Sequence, residues 1–408
     1  MRSTSRALAA IVSMLLPITA LTIGTATAEP DTDTFYDPPE PLPAGADGDI
    51  IRHEPATFYL DPVNLIEPDA DAQRIMYRSR DTHGDPTAVT GTVLTPHESW
   101  QGEGERPLVA YAPGTQGIGD NCAPSKKLAL GLEYEGPFVT GLLEAGYGVV
   151  ITDYEGLGTP GVHTYVNRAA EAHAVLDSIR AAQRLDVAAL PDDGPVGITG
   201  YSQGGGAAAA AAELTADYSP ELDIVGAYAG AAPADLAAVA ENLDGSYAVA
   251  FLGYAVLGLD EAYPELDIRS LLNDKGEQLA EDIEQECTVE ALANHAFTES
   301  DTLTTSGDPV TAYLDSEPYA SRVAEQQIGE RTPTVPTMVA HSKLDDIVPY
   351  DQGREMAAQW CDAGATVQFD TMYAPTHVGG ALASYPRATH WLHERFAGKT
   401  APDNCGSF

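Results

Sequence analysis

The sequence has few basic residues for its length. It contains only five lysines, and 21 Lys and Arg stand against 61 Asp and Glu in 408 residues, for a net charge of −40. Nucleic-acid phosphates and anionic membrane surfaces would be repelled by such a chain, so the charge argues against partners of both kinds. The acidic surface is either a solubilising feature or an adaptation to high salt, where screening removes most of the self-repulsion.

Beyond its first segment the sequence also lacks any apolar run near the roughly 20 residues needed to cross a bilayer. In that first segment, Arg2 and Arg6 precede an apolar stretch at 7–23, and small residues at 26–28 form a cleavage site. The stretch is short and contains a proline, which favours a signal peptide over a membrane anchor. We therefore expect residues 1–28 to be removed and the mature protein to be soluble and secreted.

Cysteine is scarce, and neither a C-x-x-C motif nor a histidine-rich cluster occurs, so we expect no metal site and no cofactor. The four cysteines are Cys122, Cys287, Cys361 and Cys405. An even number in an exported chain favours two disulfides, for which three connectivities are possible.

Short apolar runs alternate with helical patterns along most of the chain. Strands are predicted at 88–94, 107–112, 147–152, 195–199, 224–229, 337–340 and 366–369, and helices near 168–185, 205–214 and 381–396. This alternation predicts an α/β fold with a mostly parallel sheet flanked by helices. Right-handed crossovers would place the carboxyl ends of the parallel strands at one edge, where sites form in such sheets.

Composition divides the chain into further regions. Residues 29–50 are rich in Pro, Asp, Glu and Gly and are predicted to form a flexible leader. The core is predicted at 51–232 and 332–408, separated by a helical insertion at 233–331. Its apolar segment at 247–257 is too short to cross a membrane but long enough to wall a hydrophobic cleft. The insertion is therefore expected to be a cap over the site; the alternative is an accessory subdomain with an ordinary buried helix.

The pentapeptide Gly200-Tyr201-Ser202-Gln203-Gly204 lies between a predicted strand and an alanine-rich helix. In that context a serine on a tight strand-to-helix turn projects its hydroxyl above the sheet, and small neighbours relieve the crowding. The motif predicts that Ser202 is a hydrolase nucleophile.

A serine hydroxyl needs a base, and the base needs a carboxylate to orient it. The order Ser, acid, His is that of α/β-hydrolases, and each candidate here follows a predicted strand. Asp345 is the predicted acid, with its neighbour Asp346 as the alternative. His377, in a loop before the last helix, is the predicted base; His341 is its rival but precedes the acid in the chain.

Acyl transfer also requires donors for the developing oxyanion. One is the backbone N–H of Gln203, directly after the nucleophile. The second is expected from the glycine-rich loop at 114–117, where Gln116 is the predicted donor and Gly117 the alternative. The glycines are otherwise those of an ordinary turn.

Five motifs in order resemble the secretory lipase family of the α/β-hydrolases. They are P-G-T-Q-G with C-A-P-S (113–125), T-D-Y-E-G-L-G (152–158), G-Y-S-Q-G-G (200–205), D-D-I-V-P-Y (345–350) and T-H-V (376–378). The resemblance covers roughly residues 50–400. It implies an α/β-hydrolase fold with a helical cap and hydrolysis of acylglycerols or other carboxylic esters without a cofactor.

The resemblance also assigns individual residues. Ser202, Asp345 and His377 match the family's catalytic triad. The resemblance implies that Cys122 pairs with Cys287 and that Cys361 pairs with Cys405, the first bond joining the oxyanion loop to the cap.

Taken together, the sequence predicts a secreted serine hydrolase that cleaves carboxylic esters, a triacylglycerol lipase or esterase acting through an acyl-enzyme. A monomer that makes transient contact with a lipid interface is expected. The alternatives are an acyltransferase or peptidase using the same triad, although no β-propeller repeat of the prolyl peptidases is visible, and a non-catalytic binding protein that kept the fold.

Overall fold

A nine-stranded sheet lies at the centre of the protein. The computed structural model describes residues 34–408, and the predicted signal peptide lies outside them. The strands are β1 (Ile50–Ala56), β2 (Ala70–Arg80), β3 (Pro86–Pro96), β4 (Leu108–Ala112), β5 (Gly148–Tyr154), β6 (Val196–Tyr201), β7 (Ile224–Gly230), β8 (Thr337–Ser342) and β9 (Val367–Met372). Their order in the sheet is β1-β2-β3-β5-β4-β6-β7-β8-β9. The pairs from β1 to β5 are antiparallel, and those from β5 to β9 are parallel.

Helices pack on both faces of this sheet. They are α1 (Pro124–Leu130), α2 (Gly136–Glu144), α3 (Arg168–Gln183), α4 (Gln203–Tyr218), α5 (Leu236–Leu243), α6 (Ala250–Ala262), α7 (Asp274–Ile283), α8 (Thr288–His295), α9 (Tyr319–Glu325), α10 (Tyr350–Asp362) and α11 (Thr376–Phe396). Helices α3, α4 and α10 share one apolar core with the strands, and α1, α2 and α11 share the other. The predicted mostly parallel sheet flanked by helices is confirmed.

The buried strands and the small residues of α4 explain why the layers fit closely. Every residue of β4 and β6 is buried, as expected for central parallel strands. The alanines at 207–212 are all fully buried, so α4 can approach the sheet without large side chains between them. Tight packing fixes the turn between β6 and α4, which carries Ser202.

The segment between β7 and β8, the predicted cap, contains helices α5 to α9. Its apolar cluster also includes Ile118, Tyr165, Ile347 and Val348 of the core. The predicted apolar segment 247–257 belongs to this cluster and supplies the first part of helix α6. Two disulfides brace the protein: Cys122–Cys287 joins the loop after β4 to the start of α8, and Cys361–Cys405 joins α10 to the carboxyl-terminal segment. This is the pairing that the resemblance implies. Within residues 34–408 no helix is long and apolar enough to span a bilayer.

The structure differs from the sequence prediction at the leader. Phe35 and Tyr36 are buried against Met76 and Ala88, and the Tyr36 hydroxyl lies 2.8 Å from Ser125 Oγ. The expectation of a loose leader is therefore wrong for this part of it, because two aromatic rings anchor the chain. Residues 29–33 lie outside the described range.

The last helix also begins earlier than predicted. It starts at Thr376 rather than 381, so His377 lies in the first helical turn and not in a loop. The sequence T-H-V-G-G has weak helix propensity. Its start is stabilised from a distance, since the backbone N–H of His377 donates to Asp346 Oδ1 at 2.8 Å. Helix α4 likewise begins at Gln203, two residues before the predicted start.

Candidate active site

Ser202 lies on a strained turn between β6 and α4. Its backbone has φ 60° and ψ −127°, a conformation that residues with a side chain rarely adopt. The glycines of the motif are required by packing: a Cβ at Gly200 would lie 2.1 Å from the Gly204 carbonyl oxygen, and one at Gly204 would lie 2.0 Å from that of Ala112. The sequence motif thus forms the nucleophile turn that it predicts.

Asp345 and His377 form a hydrogen-bonded pair. The imidazole Nδ1–H donates to Asp345 Oδ2 at 2.8 Å, which leaves Nε2 as a proton acceptor. The other carboxylate oxygen accepts the backbone N–H groups of Ile347 and Val348 at 3.0 and 2.8 Å. Burial alone would raise the pKa of Asp345, but the hydrogen bond and charge of His377 hold that pKa below its usual value.

The two rival residues take other positions in the structure. Asp346 accepts the backbone N–H of His377 and so caps helix α11 instead of contacting the imidazole. His341 is fully buried, with Nε2 3.0 Å from the Val348 carbonyl oxygen and 3.7 Å from Asp345 Oδ2. Burial lowers the pKa of His341, which keeps this ring neutral. Among residues 34–408, only Asp345 is in hydrogen-bond contact with the imidazole of His377.

Tyr201 holds His377 next to the nucleophile turn. Its hydroxyl donates to the His377 carbonyl oxygen at 2.9 Å, and the two ring centroids are 4.9 Å apart. Among the described residues, Ser202 Oγ makes no hydrogen bond, so it is not hydrogen-bonded to the imidazole of His377. Such bonds are commonly long until a substrate complex forms. The structure therefore brings the three predicted residues to one edge of the sheet and pairs two of them directly.

The N–H of Gln203 points out of the first turn of α4, where backbone donors have no intrahelical acceptor. Its side chain is held elsewhere: Nε2 donates to Glu171 Oε1 at 2.7 Å and to His163 Nε2 at 2.9 Å. Burial lowers the pKa of His163 to about 4, so this ring is neutral and accepts the amide hydrogen. The backbone N–H of Gln203 is thus fixed in place and available.

Gln116 is also buried, and its side chain is engaged at both ends. Its Nε2 donates to Glu133 Oε1 at 3.0 Å, and its Oε1 accepts from Lys127 Nζ at 2.9 Å. Its backbone N–H has no acceptor among residues 34–408. The predicted donor at this position is consequently the main-chain N–H. Gly117, the alternative, has φ 117° and packs against Cys287 of the cap.

An apolar cavity opens on Ser202 and Gln203. The cap supplies most of its wall through α5 and α6, including Val239, Leu243 and Phe251. Leu252 and Ala255 line this cavity and also a second one that continues along α6. In the described part of the chain, no group of three or more His, Cys, Asp or Glu side chains is arranged to hold a metal ion.

Several residues around the site were not predicted from sequence. They are Glu133 and Glu135 under the loop at 114–117, Glu171 and His163 around Gln203, and Tyr201 beside His377. The E-Y-E sequence at 133–135 offers a weak signal, but it cannot be distinguished among 61 acidic residues. Burial, which no local pattern reports, is what sets these carboxyl groups apart.

Comparison with known proteins identifies the family. The sequence profile of the secretory lipase family matches residues 123–404. The chain belongs to the secretory lipase family. The resemblance predicted from the five motifs is confirmed, and membership places the chain among the carboxylic ester hydrolases.

Individual members are similar over most of their length. A secreted triacylglycerol lipase of Malassezia restricta is 30% identical over 392 residues, covering 91% of this chain and 80% of the relative. A probable inactive lipase of Mycobacterium tuberculosis is 29% identical over 388 residues, covering 92% and 84%. The crystal structure of Candida antarctica lipase A has a TM-score of 0.81 at 25% identity, covering 92% of this chain and 88% of that chain.

Proposed function

We propose that this secretory lipase family member hydrolyses lipid esters through an acyl-enzyme on Ser202. His377 Nε2 takes the hydroxyl proton as Ser202 attacks the ester carbonyl, and Asp345 stabilises the imidazolium that forms. The backbone N–H groups of Gln203 and Gln116 stabilise the oxyanion. Water then hydrolyses the acyl-enzyme. The observation that supports this most is the pairing of Asp345 with His377 beside the strained turn of Ser202.

Substitution of the nucleophile tests this function. Ser202→Ala should reduce p-nitrophenyl butyrate hydrolysis to background while the thermal unfolding midpoint stays close to that of the parent. Ser321→Ala, which alters an exposed serine on helix α9, is the matched control and should keep full activity. Turnover by Ser202→Ala at the rate of the control would refute the assignment.

The apolar cavities along α6 support an acyl chain as the group that is bound. Ala255 lies where the cavity beside Ser202 meets the next one. Ala255→Phe should close this passage, so that hydrolysis of dodecanoyl esters falls at least about tenfold relative to acetyl esters. Ala293→Phe, on the exposed side of α8, is the control. An unchanged ratio of long to short esters would place the acyl chain elsewhere.

Exposed apolar side chains near His377 support contact with a lipid interface. Leu344, Tyr373, Val378 and Leu382 are between 53% and 68% exposed. Val378 and Leu382 are one helical turn apart on α11, directly after the candidate base. Because the chain is strongly acidic, the interface that fits is that of an uncharged ester droplet.

This contact predicts different effects on soluble and emulsified substrate. The double substitution Val378→Ser with Leu382→Ser should leave hydrolysis of soluble acetyl esters within about twofold and lower that of emulsified tributyrin severalfold. Val187→Ser changes an exposed apolar residue before β6, at the other end of the strand from Ser202. If both variants behave alike on emulsions, the interface proposal is wrong.

One relative is named as a probable inactive lipase. A non-catalytic chain with this fold is therefore the alternative that the experiments must separate. The strained Ser202 and the bonded Asp345–His377 pair support activity here. Failure of the protein to react with a fluorophosphonate would favour a non-catalytic protein with this fold.

Export is also proposed. Its support is the family's secretory character, the relatives named as secreted and the two disulfides, which persist in oxidising compartments. Sequencing the exported protein should give Glu29 as its first residue, the site that the predicted cleavage after Ala28 requires.

A further inference from the structure

Two buried carboxyl groups lie under the loop that carries Gln116. Glu133 and Glu135, in the turn between α1 and α2, are 7% and 2% exposed. They belong to one cluster, since the backbone N–H of Glu135 donates to Glu133 Oε1 at 3.1 Å. No step of the proposed reaction uses either of them. Burying two acids together costs free energy unless hydrogen bonds or an opposite charge compensate for the lost hydration.

Both carboxyl groups bind the loop. The backbone N–H of Gly114 donates to Glu135 Oε2 at 2.8 Å. Gln116 Nε2 donates to Glu133 Oε1 at 3.0 Å and also lies 3.5 Å from Glu135 Oε2. Lys127 Nζ binds the other end of this amide and, at 3.3 Å, the Gln116 main-chain carbonyl oxygen. The cluster therefore holds the loop on both sides of the Gln116 N–H, at Gly114 and at the side chain and carbonyl oxygen of Gln116. The carbonyl oxygen of the peptide that contains this N–H, that of Thr115, accepts the hydroxyls of Tyr134 and Thr288.

The hydrogen bonds indicate which acid is ionised. Glu135 accepts the hydroxyls of Tyr111 and Tyr385 on Oε1, at 2.9 and 2.6 Å, in addition to the Gly114 N–H, and three donors favour a carboxylate. Glu133 accepts only through Oε1, and its Oε2 is buried without a hydrogen-bond partner among the described residues. When the pair holds one proton, that proton consequently belongs on Glu133.

We propose that Glu133 and Glu135 are positioning residues that hold the oxyanion loop, residues 114–117, with Glu133 protonated and Glu135 ionised. With that proton, the single negative charge of the pair is balanced by Lys127. The inference rests on the proposed function, because the loop matters to the reaction only if an oxyanion forms there.

Proton loss from the pair should oppose catalysis. Burial, aided by the charge of Glu135, raises the pKa of Glu133 to about 8, and burial likewise raises the pKa of Glu135. Burial lowers the pKa of Lys127, although nearby carboxylates oppose this shift. Above about pH 8 the pair would carry a second negative charge beneath the position where the oxyanion develops, and acylation should slow.

Four tyrosines and one acid also face the cluster. The tyrosines are Tyr111 of β4, Tyr134 of the 133–135 turn, Tyr165 of the loop before α3 and Tyr385 of α11. The acid is Glu290 of α8. Burial raises the pKa of every one of these tyrosines, so they stay neutral. Glu290 acts on Lys127 through its charge.

Substitutions at the two acids test the inference on a soluble short-chain ester over pH 6–10. Glu133→Gln mimics the protonated form and should lose the decline in kcat above about pH 8. Glu135→Gln should lower kcat about 10- to 100-fold with KM within about twofold, since a donor orientation is lost rather than substrate binding. Glu144→Gln, on the exposed side of α2, is the control and should match the parent.

A milder change covers the case in which Glu135→Gln does not fold. Tyr385→Phe removes one donor to Glu135 Oε1, which should raise the pKa of the pair and move the alkaline decline to higher pH. The inference is overturned if Glu133→Gln keeps the parent's decline, if Tyr385→Phe leaves it in place, or if a folded Glu135→Gln has the kcat of the control. Activity retained by Ser202→Ala would instead refute the proposed function itself.

Discussion

Asp345 and Asp346 are neighbours in the chain, yet they face different groups. The side chain of Asp345 is buried and accepts the imidazole Nδ1–H of His377, while that of Asp346 accepts the backbone N–H of the same residue. One carboxylate orients the ring, and the other caps the helix that carries it. The same change from Asp to Asn at each position therefore tests the two roles separately.

Asp345→Asn should lower kcat by roughly 10³- to 10⁴-fold, because an amide no longer selects the imidazole tautomer that accepts the serine proton. Asp346→Asn keeps an oxygen for the cap, so it should retain kcat within about tenfold and lose at most about 1 kcal/mol of stability. Steady-state kinetics and thermal unfolding of both variants check this. Equal losses of kcat would show that the two carboxylates are not divided as the structure indicates.

At the scale of elements, the turn between β6 and α4 depends on close backbone packing. Gly204 lies against the Ala112 carbonyl oxygen of β4, the strand that leads into the oxyanion loop. The nucleophile turn and the oxyanion loop therefore share one contact, and strain at Ser202 is held by the strands on either side. A methyl group at this contact would force the two apart.

Gly204→Ala should lower stability by roughly 1–3 kcal/mol and reduce activity, because its Cβ would lie 2.0 Å from a main-chain oxygen. Gly141→Ala places a methyl in open space within helix α2 and should add roughly 0.5–1 kcal/mol. Denaturant unfolding of the two variants tests the difference. Similar stabilities would mean that the turn can move without cost.

The alternation of strands and helices made the fold predictable, and the glycines around Ser202 made its turn predictable. The start of α11 was not predictable, since T-H-V-G-G is a poor helix former and Asp346 stabilises it from 31 residues away. The burial of Phe35 and of Glu133 also depends on tertiary contacts. The local sequence pattern shows the periodicity of strands and helices. It does not show a helix cap supplied by a distant residue or the burial of an acid, because these depend on tertiary contacts.

For the whole molecule, the dominant property is negative charge. The chain carries a net charge of −40, and several of its acids are buried. Burial raises the pKa of Glu133 and Glu171 to about 8 and that of Glu155 and Glu213 to about 7. Adaptation to high salt stays a prediction, to be tested by stability and activity from dilute buffer to molar NaCl.

These raised pKa values predict that stability falls as pH rises from about 6.5 to about 8. The folded state keeps protons that the unfolded state has released near pH 4.5, so the benefit is complete below that pH and lost as pH rises through 7–8. Buried neutral His163 opposes this only below about pH 6.5; the lowered pKa of Lys127 opposes it in part. The unfolding midpoint, measured in 1 M NaCl to screen surface repulsion, should decrease over this range. A constant or rising midpoint would contradict these assignments.

The central claim is that Ser202, His377 and Asp345 act together as a nucleophilic site. Reaction with a fluorophosphonate followed by peptide mass spectrometry tests it most directly. We predict a single adduct on Ser202 that forms in the parent protein and is lost in a folded His377→Ala variant. No adduct in the folded parent protein, an adduct on another residue, or undiminished labelling without His377 would contradict the account.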